Sequence, residues 1–377
     1  MKIILVGTAY PLRGGIAHYL ALLYNRLLAR HHDVQIVTFS RQYPSMLFPG
    51  KSQDEVRSSG VAVPSHQMID SINPWSWIRT ALWIRRQDPD LVVFKYWLPF
   101  FGPCFGTIAA IVRRNARAKT LFICDNIMPH ERRIGDRAFT SFAFRFVDQF
   151  IVQSHAVERE LQAFLPGAPS LYVPHPVYEI FGPAIPKVRA REQLGLLSSK
   201  VLLFFGYIRP YKGLDVLLEA LPRVLQHHDV TLVVVGESYE GTAHYLKRTQ
   251  DLGVSDAVLL HTEYVPNDSV SMYFSACDVV VLPYRSATQS GIVQIAYQFG
   301  RPVIATDVGG LAEVVLHEDT GLIVPPEDSK ALAEAIIRFY DENLEERFAQ
   351  RVKQERTKYT WEALAEALEK SASSENE

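Results

Sequence analysis

The segment 278–313 constrains the fold most, because it twice reads as a strand, a loop and a helix. The aliphatic run Val279–Leu282 is typical of a buried strand, and Gly291–Phe299 has the length of a helix. Pro302–Ala305 predicts the next strand, and the glycine pair after it predicts a turn before another short helix. Two such units in series indicate an α/β fold, a parallel sheet covered by helices.

Both loops of this segment should follow the carboxyl ends of their strands, the edge where open parallel sheets bind ligands. Backbone N–H groups at Ser290 and Gly291, and again at Gly309 and Gly310, could receive an anion such as a diphosphate. Two ordinary tight turns would use the same glycines. The residues of this segment alone leave both interpretations open.

Length and charge set broad limits on the class of protein. The chain has 377 residues, enough for two domains, and its 48% hydrophobic and 21% charged residues are typical of globular proteins. The net charge of −2 gives no indication of a nucleic-acid partner. However, residues 1–173 hold 20 Lys and Arg against 12 Asp and Glu, together with four of the five tryptophans. This basic, aromatic part favours contact with an anionic surface or ligand.

Cys104, Cys124 and Cys277 are far apart in sequence and follow no metal-ligand spacing. They predict buried, reduced thiols of a cytoplasmic protein, and we expect no metal site. We expect no signal peptide, because the first residues lead directly into a strand. The apolar stretch Leu91–Val112 contains a lysine, two prolines and two glycines, which favours a strand, a loop and a helix over a membrane span.

The first strand of the chain runs into a pair of glycines. Lys2–Gly7 reads as a buried strand, and Gly14 and Gly15 open a helix with apolar residues at helical spacing. A glycine pair at a helix start can bring the backbone close to a phosphate or a sugar. Strand-turn-helix units also need glycines for purely structural reasons.

A helix carrying three tryptophans is predicted over Asn73–Arg86, with Asn73 as its cap and Pro74 at its first position. Its tryptophans are either part of the core or, with the arginines beside them, an interfacial face. The residues concerned are Trp75, Trp77 and Trp83, interleaved with Arg79, Arg85 and Arg86.

A second α/β series follows a proline-rich segment at 174–199, which predicts a linker. Val201–Phe205 reads as a strand, and the loop GYIRPYKG, residues 206–213, follows it. Arg209 and Lys212 would therefore lie at the carboxyl end of this strand, where two cations can neutralise a leaving diphosphate. The alternative is a basic surface loop.

The segment PVIATDVGGLAEVV, residues 302–315, resembles the C-terminal motif of the family-4 (group 1) retaining glycosyltransferases, which have the GT-B fold. The resemblance extends over nearly the whole chain. It implies two Rossmann-like domains facing each other across a cleft, with a terminal helix that crosses back to the first. The expected boundaries are residues 1–173 for the acceptor domain, 200–350 for the donor domain and 351–370 for the terminal helix.

The same resemblance assigns roles to residues of the second domain. Family members place an Arg and a Lys, here Arg209 and Lys212 in the loop that starts at Gly206, on the donor diphosphate. In relatives the nucleotide base lies between two further loops, represented here by Gly236 and Glu237 and by Val265.

In the first domain, the segment DNIMPHE, residues 125–131, resembles a family segment that follows a strand. In relatives a histidine at this point, here His130, faces the cleft near the sugar and the acceptor. A histidine in a surface loop is the alternative. The glycine pair Gly14 and Gly15 is then expected near the donor and acceptor.

The chain departs from the family at two positions. Members usually carry two glutamates eight residues apart, the first on the donor sugar and the second on the nucleotide ribose. Ala287 and Ile295 stand at these positions, and Gln289 and Gln294 lie nearby but out of register. We include both glutamines with Ser290 and Gly291 among the expected donor-binding residues.

The resemblance implies transfer of a sugar from a UDP- or GDP-linked donor to a hydroxyl of a glycan or lipid-linked acceptor, with retention of configuration. No cofactor or metal is expected, because the nucleotide-sugar is a substrate and no suitable acidic pair is present. The alternatives are a non-catalytic subunit that binds nucleotide or a partner, and another GT-B enzyme such as an epimerase or phosphorylase. A cytoplasmic protein resting on the inner face of an anionic membrane is the expected location.

Overall fold

The computed structural model describes residues 1–44, 62–114, 118–129, 133–238 and 241–373. Its contacts divide the chain into two compact units. Residues 1–176 and 360–377 form the first unit, and residues 177–359 form the second. Each unit is built on one parallel β-sheet, which confirms the predicted α/β class.

The first unit has a seven-stranded sheet in the order β3-β2-β1-β4-β5-β6-β7. Its strands are β1 Lys2–Val6, β2 Asp33–Arg41, β3 His66–Asp70, β4 Leu91–Tyr96, β5 Lys119–Cys124, β6 Gln149–Val152 and β7 Ser170–Tyr172. Its first five helices are α1 Gly15–Ala29, α2 Pro74–Arg86, α3 Gly102–Val112, α4 Asp136–Phe144 and α5 His155–Phe164. Every residue of the central strand β4 is buried, because helices cover both faces of the sheet.

Helices α2 and α5 both begin at side-chain caps, and the cap of α2 is the one that the sequence predicts. The side chain of Asn73 accepts a hydrogen bond from the backbone N–H of Trp75, with Pro74 at the first helical position. The Ser154 side chain accepts one from Val157 in the same way. Strand β3 and helix α4 were not predicted, since both are short and lack a clear apolar period.

The second unit has a six-stranded sheet in the order β10-β9-β8-β11-β12-β13. Its strands are β8 Lys200–Phe205, β9 Val230–Val235, β10 Val258–His261, β11 Val279–Leu282, β12 Val303–Thr306 and β13 Gly321–Val324. Its helices are α6 Lys187–Leu194, α7 Leu214–Leu225, α8 Ala243–Asp251, α9 Asn267–Ala276, α10 Gly291–Gln298, α11 Leu311–Val314, α12 Ser329–Asp341 and α13 Leu344–Glu355. The predicted repeat of strand, loop and helix over 278–313 is thus β11, α10, β12 and α11.

The segment 174–199, which we predicted to be a linker, contains helix α6. Lys187 and Arg191 of this helix form ion pairs with the buried Asp278, at 2.6 and 2.7 Å. The Asp278 side chain also accepts a hydrogen bond from the backbone N–H of Val201. These contacts attach α6 to the amino end of the second sheet. The prolines of the segment indicated a linker and gave no sign of this helix.

The terminal helix differs in extent from the predicted 351–370. Residues 351–355 are the end of α13 in the second unit, and the final helix is α14, Trp361–Ser373. Helix α14 belongs to the first unit, where Trp361 packs edge-on against Tyr19. Arg30 of α1 donates two hydrogen bonds to the Glu369 carboxylate of α14, both at 2.7 Å.

The apolar stretch 91–112 forms β4 and α3, as predicted, with a short 3₁₀ turn between them. Within the described ranges, the structure contains no helix of the length and apolarity that a membrane crossing needs. All three cysteines are buried and unpaired.

Candidate functional site

Three loops meet at the carboxyl edge of the second sheet. Strands β10, β9 and β8 are neighbours, and their hydrogen bonding continues past the strand ends. Gly206 donates its backbone N–H to the Val235 oxygen, and Gly236 donates to the His261 oxygen, both at 2.9 Å. Ile208 donates to Glu237 at 3.0 Å. The structure therefore brings Gly206, Gly236 and Glu237 together.

Lys212 is a buried cation at this edge. Residues Pro210–Lys212 form a 3₁₀ turn, and the Lys212 side chain points beneath its own loop with only 8% of the residue exposed. Its Nζ lies 5.3 Å from the centre of the Tyr284 ring. A Cβ atom added to Gly206, which has a φ of +103°, would lie 2.9 Å from this Nζ. The positive φ favours glycine here, and the backbone of the loop after β8 lies close to the ammonium group.

The electrostatic surroundings of Lys212 are unusual for a lysine. Burial lowers the pKa of its ammonium group, the Tyr211 phenol opposes that shift, and the nearby Arg209 guanidinium lowers the pKa further. Among the residues that the structure describes, no carboxylate forms an ion pair with Lys212. A buried charge without a counter-charge is costly, and an anionic ligand would remove that cost.

Arg209 lies at the start of the same 3₁₀ turn and is half-buried. Its influence on the pKa of Lys212 shows that the two cations share one local field. The structure thus places both predicted cations at the carboxyl end of β8.

Helix α10 begins beside Lys212. Ser290 occupies its cap position, and its side chain makes no capping hydrogen bond. The Cβ position of Gly206 lies 3.2 Å from Ile292 Cδ1, so this first turn and the Lys212 ammonium border the same space. The first backbone N–H groups of the helix, including that of Gly291, lie at the positive end of the helix dipole. Lys212 and this helix start together form a site suited to an anion.

The second glycine turn differs from its prediction. The Gly310 amide donates to the Thr288 oxygen at 3.1 Å, so it is already used within the protein. Gly309 has a φ of +53°, and an added Cβ would collide with the Ala287 oxygen. The prediction that Gly310 offers a free N–H to an anion is wrong, because this turn packs against the loop that precedes α10.

The positions of the missing family glutamates are apolar and buried. Ala287 and Ile295 are 9% and 6% exposed. Gln294 is 2% exposed, and its Oε1 has no hydrogen-bond partner among the described residues. Gln289 is half-buried in the loop before α10. Val265, the remaining predicted contact of the second unit, is half-buried in the loop after β10.

In the first unit, Gly14 and Gly15 start helix α1, and the Gly14 oxygen accepts the Ala17 amide at 3.0 Å. The space around Gly14 is open, since an added Cβ would meet no atom within 4 Å among the described residues. His130 lies outside the described residues. Its role therefore stays a prediction.

A buried polar cluster at the carboxyl edge of the first sheet was not predicted. Lys95, 1% exposed, donates to Asp125 at 2.5 Å and to Gln153 at 2.9 Å, with its Nζ 3.8 Å from the Tyr19 ring centre. Burial lowers the pKa of Lys95, while the Asp125 carboxylate opposes the shift. The one sign of this cluster in the sequence is a lysine inside an aliphatic strand. We had used that lysine only as evidence against a membrane span.

Among the described residues, no group of three or more His, Cys, Asp or Glu side chains could hold a metal ion.

Arg285, which contacts the Arg209–Gly213 loop, was also missed by the sequence analysis. Its position two residues after Pro283, at the end of a buried strand, is the signal that could have identified it.

Two family profiles match the chain. Residues 199–342 match "Glycosyl transferases group 1", and residues 14–177 match "Glycosyl transferase 4-like domain". These matches correspond closely to the two structural units and together leave only short segments unmatched.

Curated relatives are glycosyltransferases. A D-inositol 3-phosphate glycosyltransferase of Corynebacterium diphtheriae is 29% identical over 54% of this chain, which spans 50% of that protein's length. Another of the same name, from Acidothermus cellulolyticus, is 26% identical over 94% of this chain and 84% of its own length.

Solved structures with the same fold include sucrose-phosphate synthase from Thermosynechococcus elongatus, with a TM-score of 0.77 and 20% identity over 98% of both chains. The Anabaena protein HepE in complex with UDP-glucose has a TM-score of 0.72 and 18% identity, covering 98% of this chain and 99% of its own. With matching profiles over both units and this shared architecture, the chain belongs to the group 1 glycosyltransferases and has the GT-B fold.

Proposed function

We propose that the protein transfers a sugar from a nucleotide-sugar to a hydroxyl acceptor. The observation that carries the proposal is Lys212, a buried ammonium group beside the start of helix α10 that lacks an ion-pair partner in the described part of the chain. A nucleotide-sugar contains the anion that this site lacks, its diphosphate. The names of the relatives, all glycosyltransferases, support the same reaction class.

The proposed chemistry breaks the bond between the anomeric carbon and the diphosphate oxygen. The acceptor hydroxyl oxygen forms the new bond to that carbon, and its proton passes to the departing diphosphate oxygen on the same face, which retains the configuration. Negative charge grows on the diphosphate during this step. Lys212, Arg209 and the Gly291 amide are placed to stabilise that charge, the role that a metal ion has in other transferases.

For the donor we propose a UDP-linked sugar first and a GDP-linked sugar second. The support is that one structural neighbour, the Anabaena protein HepE, binds UDP-glucose in its solved complex. For the acceptor we propose a hydroxyl of a glycan or lipid-linked sugar. His130 and Gly15, in the first unit, would position sugar and acceptor.

Binding and turnover test this proposal separately. Thermal-shift assays with UDP, GDP and their sugars should show stabilisation of about 2.7 kcal/mol at 100 times the dissociation constant. Uridine and guanosine, which lack phosphate, are the matched control ligands. If no nucleoside diphosphate stabilises the full chain, the site assignment is refuted.

A non-catalytic nucleotide-binding subunit is the second candidate, because Ala287 and Ile295 replace the family glutamates and are buried. Such a protein would bind UDP or GDP as tightly but would neither transfer nor hydrolyse the donor sugar. Release of nucleoside diphosphate from a panel of nucleotide-sugars distinguishes the two candidates.

We further propose that the first unit rests on an anionic membrane, as a peripheral protein of the cytoplasmic face. Trp75, 79% exposed, starts a stripe on α2 that continues through Arg79, Leu82 and Arg86 at helical spacing. All four residues are exposed. Trp77 and Trp83, in contrast, pack against the core, so only one of the three tryptophans of this helix is available to a membrane.

Helix α4 adds to this surface. Helices α2 and α4 both pack on α3, whose Gly106 lies against Phe142 of α4. Phe139 and Phe142 are about two-fifths exposed, and Ile134 just before the helix is fully exposed. Aromatic groups beside basic side chains suit the interface of an anionic bilayer, where each basic residue contributes about 1 kcal/mol.

Vesicle co-sedimentation tests the membrane proposal. The protein should bind anionic vesicles at low salt, release as salt rises, and bind neutral vesicles weakly. The double variant Arg79→Glu, Arg86→Glu should lose this binding without a change in melting temperature. Lys330→Glu in the second unit, which replaces an exposed basic residue, is the control. Equal binding by both variants would contradict the proposal and favour a soluble acceptor.

A further inference from the structure

Arg285 joins several loops at the carboxyl edge of the second sheet. Its Nη1 donates to the Pro210 oxygen at 2.6 Å, and its backbone N–H donates to the Tyr211 oxygen at 2.7 Å. Both acceptors immediately precede Lys212. The Arg285 side chain therefore holds one carbonyl group of the 3₁₀ turn, and the backbone of the same residue holds the next.

The same guanidinium group also forms a two-pronged ion pair with Asp215, in the first turn of α7, at 2.9 and 2.6 Å. Its Nε donates to Glu327 at 3.0 Å, in the loop after β13. Burial alone would raise the pKa of Asp215, but the Arg285 hydrogen bonds and charge lower it below its ordinary value. Asp215 thus stays ionised and paired.

The backbone before Arg285 completes the arrangement. Gly213, which ends the 3₁₀ turn at a φ of +66°, leaves no room for a Cβ because the Pro283 oxygen occupies that place. The Tyr284 ring lies 5.3 Å from the Lys212 ammonium. Residues 283–285 thus contact both the backbone of the 3₁₀ turn and the side chain of Lys212.

We propose that Arg285 is a positioning residue for the diphosphate site. It fixes the Arg209–Gly213 loop so that Lys212 faces the start of α10, and it keeps the Asp215 carboxylate from pairing with the cations meant for the diphosphate. Unpaired, Asp215 would lie three residues from Lys212 as a competing anion. The inference rests on the proposed function, because it concerns the same nucleotide site.

Calorimetric titration of the full chain with UDP and GDP tests this role. Arg285→Ala should weaken binding about tenfold or more, while Arg285→Lys should recover part of the loss because a lysine can still reach one acceptor. Arg338→Ala is the matched control, since Arg338 also forms ion pairs with two carboxylates of the second unit, Glu318 and Glu342, yet contacts no residue of the loop. Melting temperatures of all variants separate a local effect from unfolding.

A double-variant comparison gives the decisive result. If Arg285 acts through Lys212, then Arg285→Ala should cause little further loss in a Lys212→Met background. Adding Asp215→Asn to Arg285→Ala should restore part of the affinity if competition by Asp215 contributes. Independent, fully additive losses from Lys212 and Arg285, or unchanged binding in Arg285→Ala, would overturn the inference. Absence of UDP and GDP binding by the unaltered protein would instead refute the proposed function.

Discussion

Replacing Lys212 by methionine should change ligand affinity and stability in opposite directions. Methionine matches the length of the lysine stem but carries no charge. In the free protein the ammonium group is buried, lies over the Tyr284 ring, and forms no ion pair with a described residue. Burying an ion costs several kcal/mol, and a cation–π contact returns about 0.5–2 kcal/mol. We therefore expect Lys212→Met to raise the free energy of unfolding by about 1 kcal/mol.

Affinity should fall in the same variant. A hydrogen bond to a charged group contributes about 1.5–3 kcal/mol, so UDP or GDP should bind roughly 10–150-fold more weakly. Turnover should fall by about 10²–10³-fold, the scale for loss of one charge-stabilising donor. Arg209→Ala should lower turnover similarly.

Calorimetric titration measures the affinity, and thermal unfolding should show a rise in melting temperature of about 2–4 °C for a unit of this size. Lys330→Met, which removes an exposed lysine of the same unit, should change neither quantity appreciably. A Lys212→Met protein that is less stable yet binds nucleoside diphosphate normally would refute the reasoning, because it would make Lys212 a structural residue.

Three further predictions concern other parts of the molecule. Burial lowers the pKa of His175 to about 4. The contribution of the neutral imidazole to stability should therefore be complete above pH 6.5 and decline as pH falls toward 4. His175→Gln should flatten the plot of melting temperature against pH over that window. His130→Ala should lower turnover but leave UDP or GDP affinity unchanged, and a collapse of affinity would reverse the domain roles. Donor turnover should persist in excess chelator, and an absolute requirement for magnesium or manganese would contradict the proposed role of Lys212 and Arg209.

The elements predicted best are those whose local sequence carries a complete signal. The helix over Asn73–Arg86 has a cap, a proline at its first position and a charged last turn, and the structure places α2 within one residue of it. Strands β8, β11 and β12 are short aliphatic runs next to a glycine or proline, and they were found with small shifts at their ends. Helix α6 was missed because its ion pairs with Asp278 join residues about ninety positions apart.

The candidate site shows the same division between local and distant signals. Arg209 and Lys212 were found because a motif of eight residues contains them both. That Lys212 is buried could not be read from this motif, since its burial depends on Gly206 before it and on Tyr284 from a distant loop. The prediction that the Gly310 amide is free was wrong for a similar reason. The amide donates to the Thr288 oxygen, which lies in the preceding loop and outside the local sequence of the turn.

The replacement of the family glutamates changes what the site requires of its remaining residues. Ala287 and Ile295 bring no charge to this segment, whereas family members usually carry two glutamates there. The acidic group nearest in sequence to Lys212 is then Asp215, which Arg285 already binds. In the proposed donor complex the positive charge would then remain for the diphosphate, and hydrogen bonding to the rest of the donor would fall to neutral groups. We propose Gln294 of α10 as one such neutral group, because its buried Oε1 lacks a partner among the described residues.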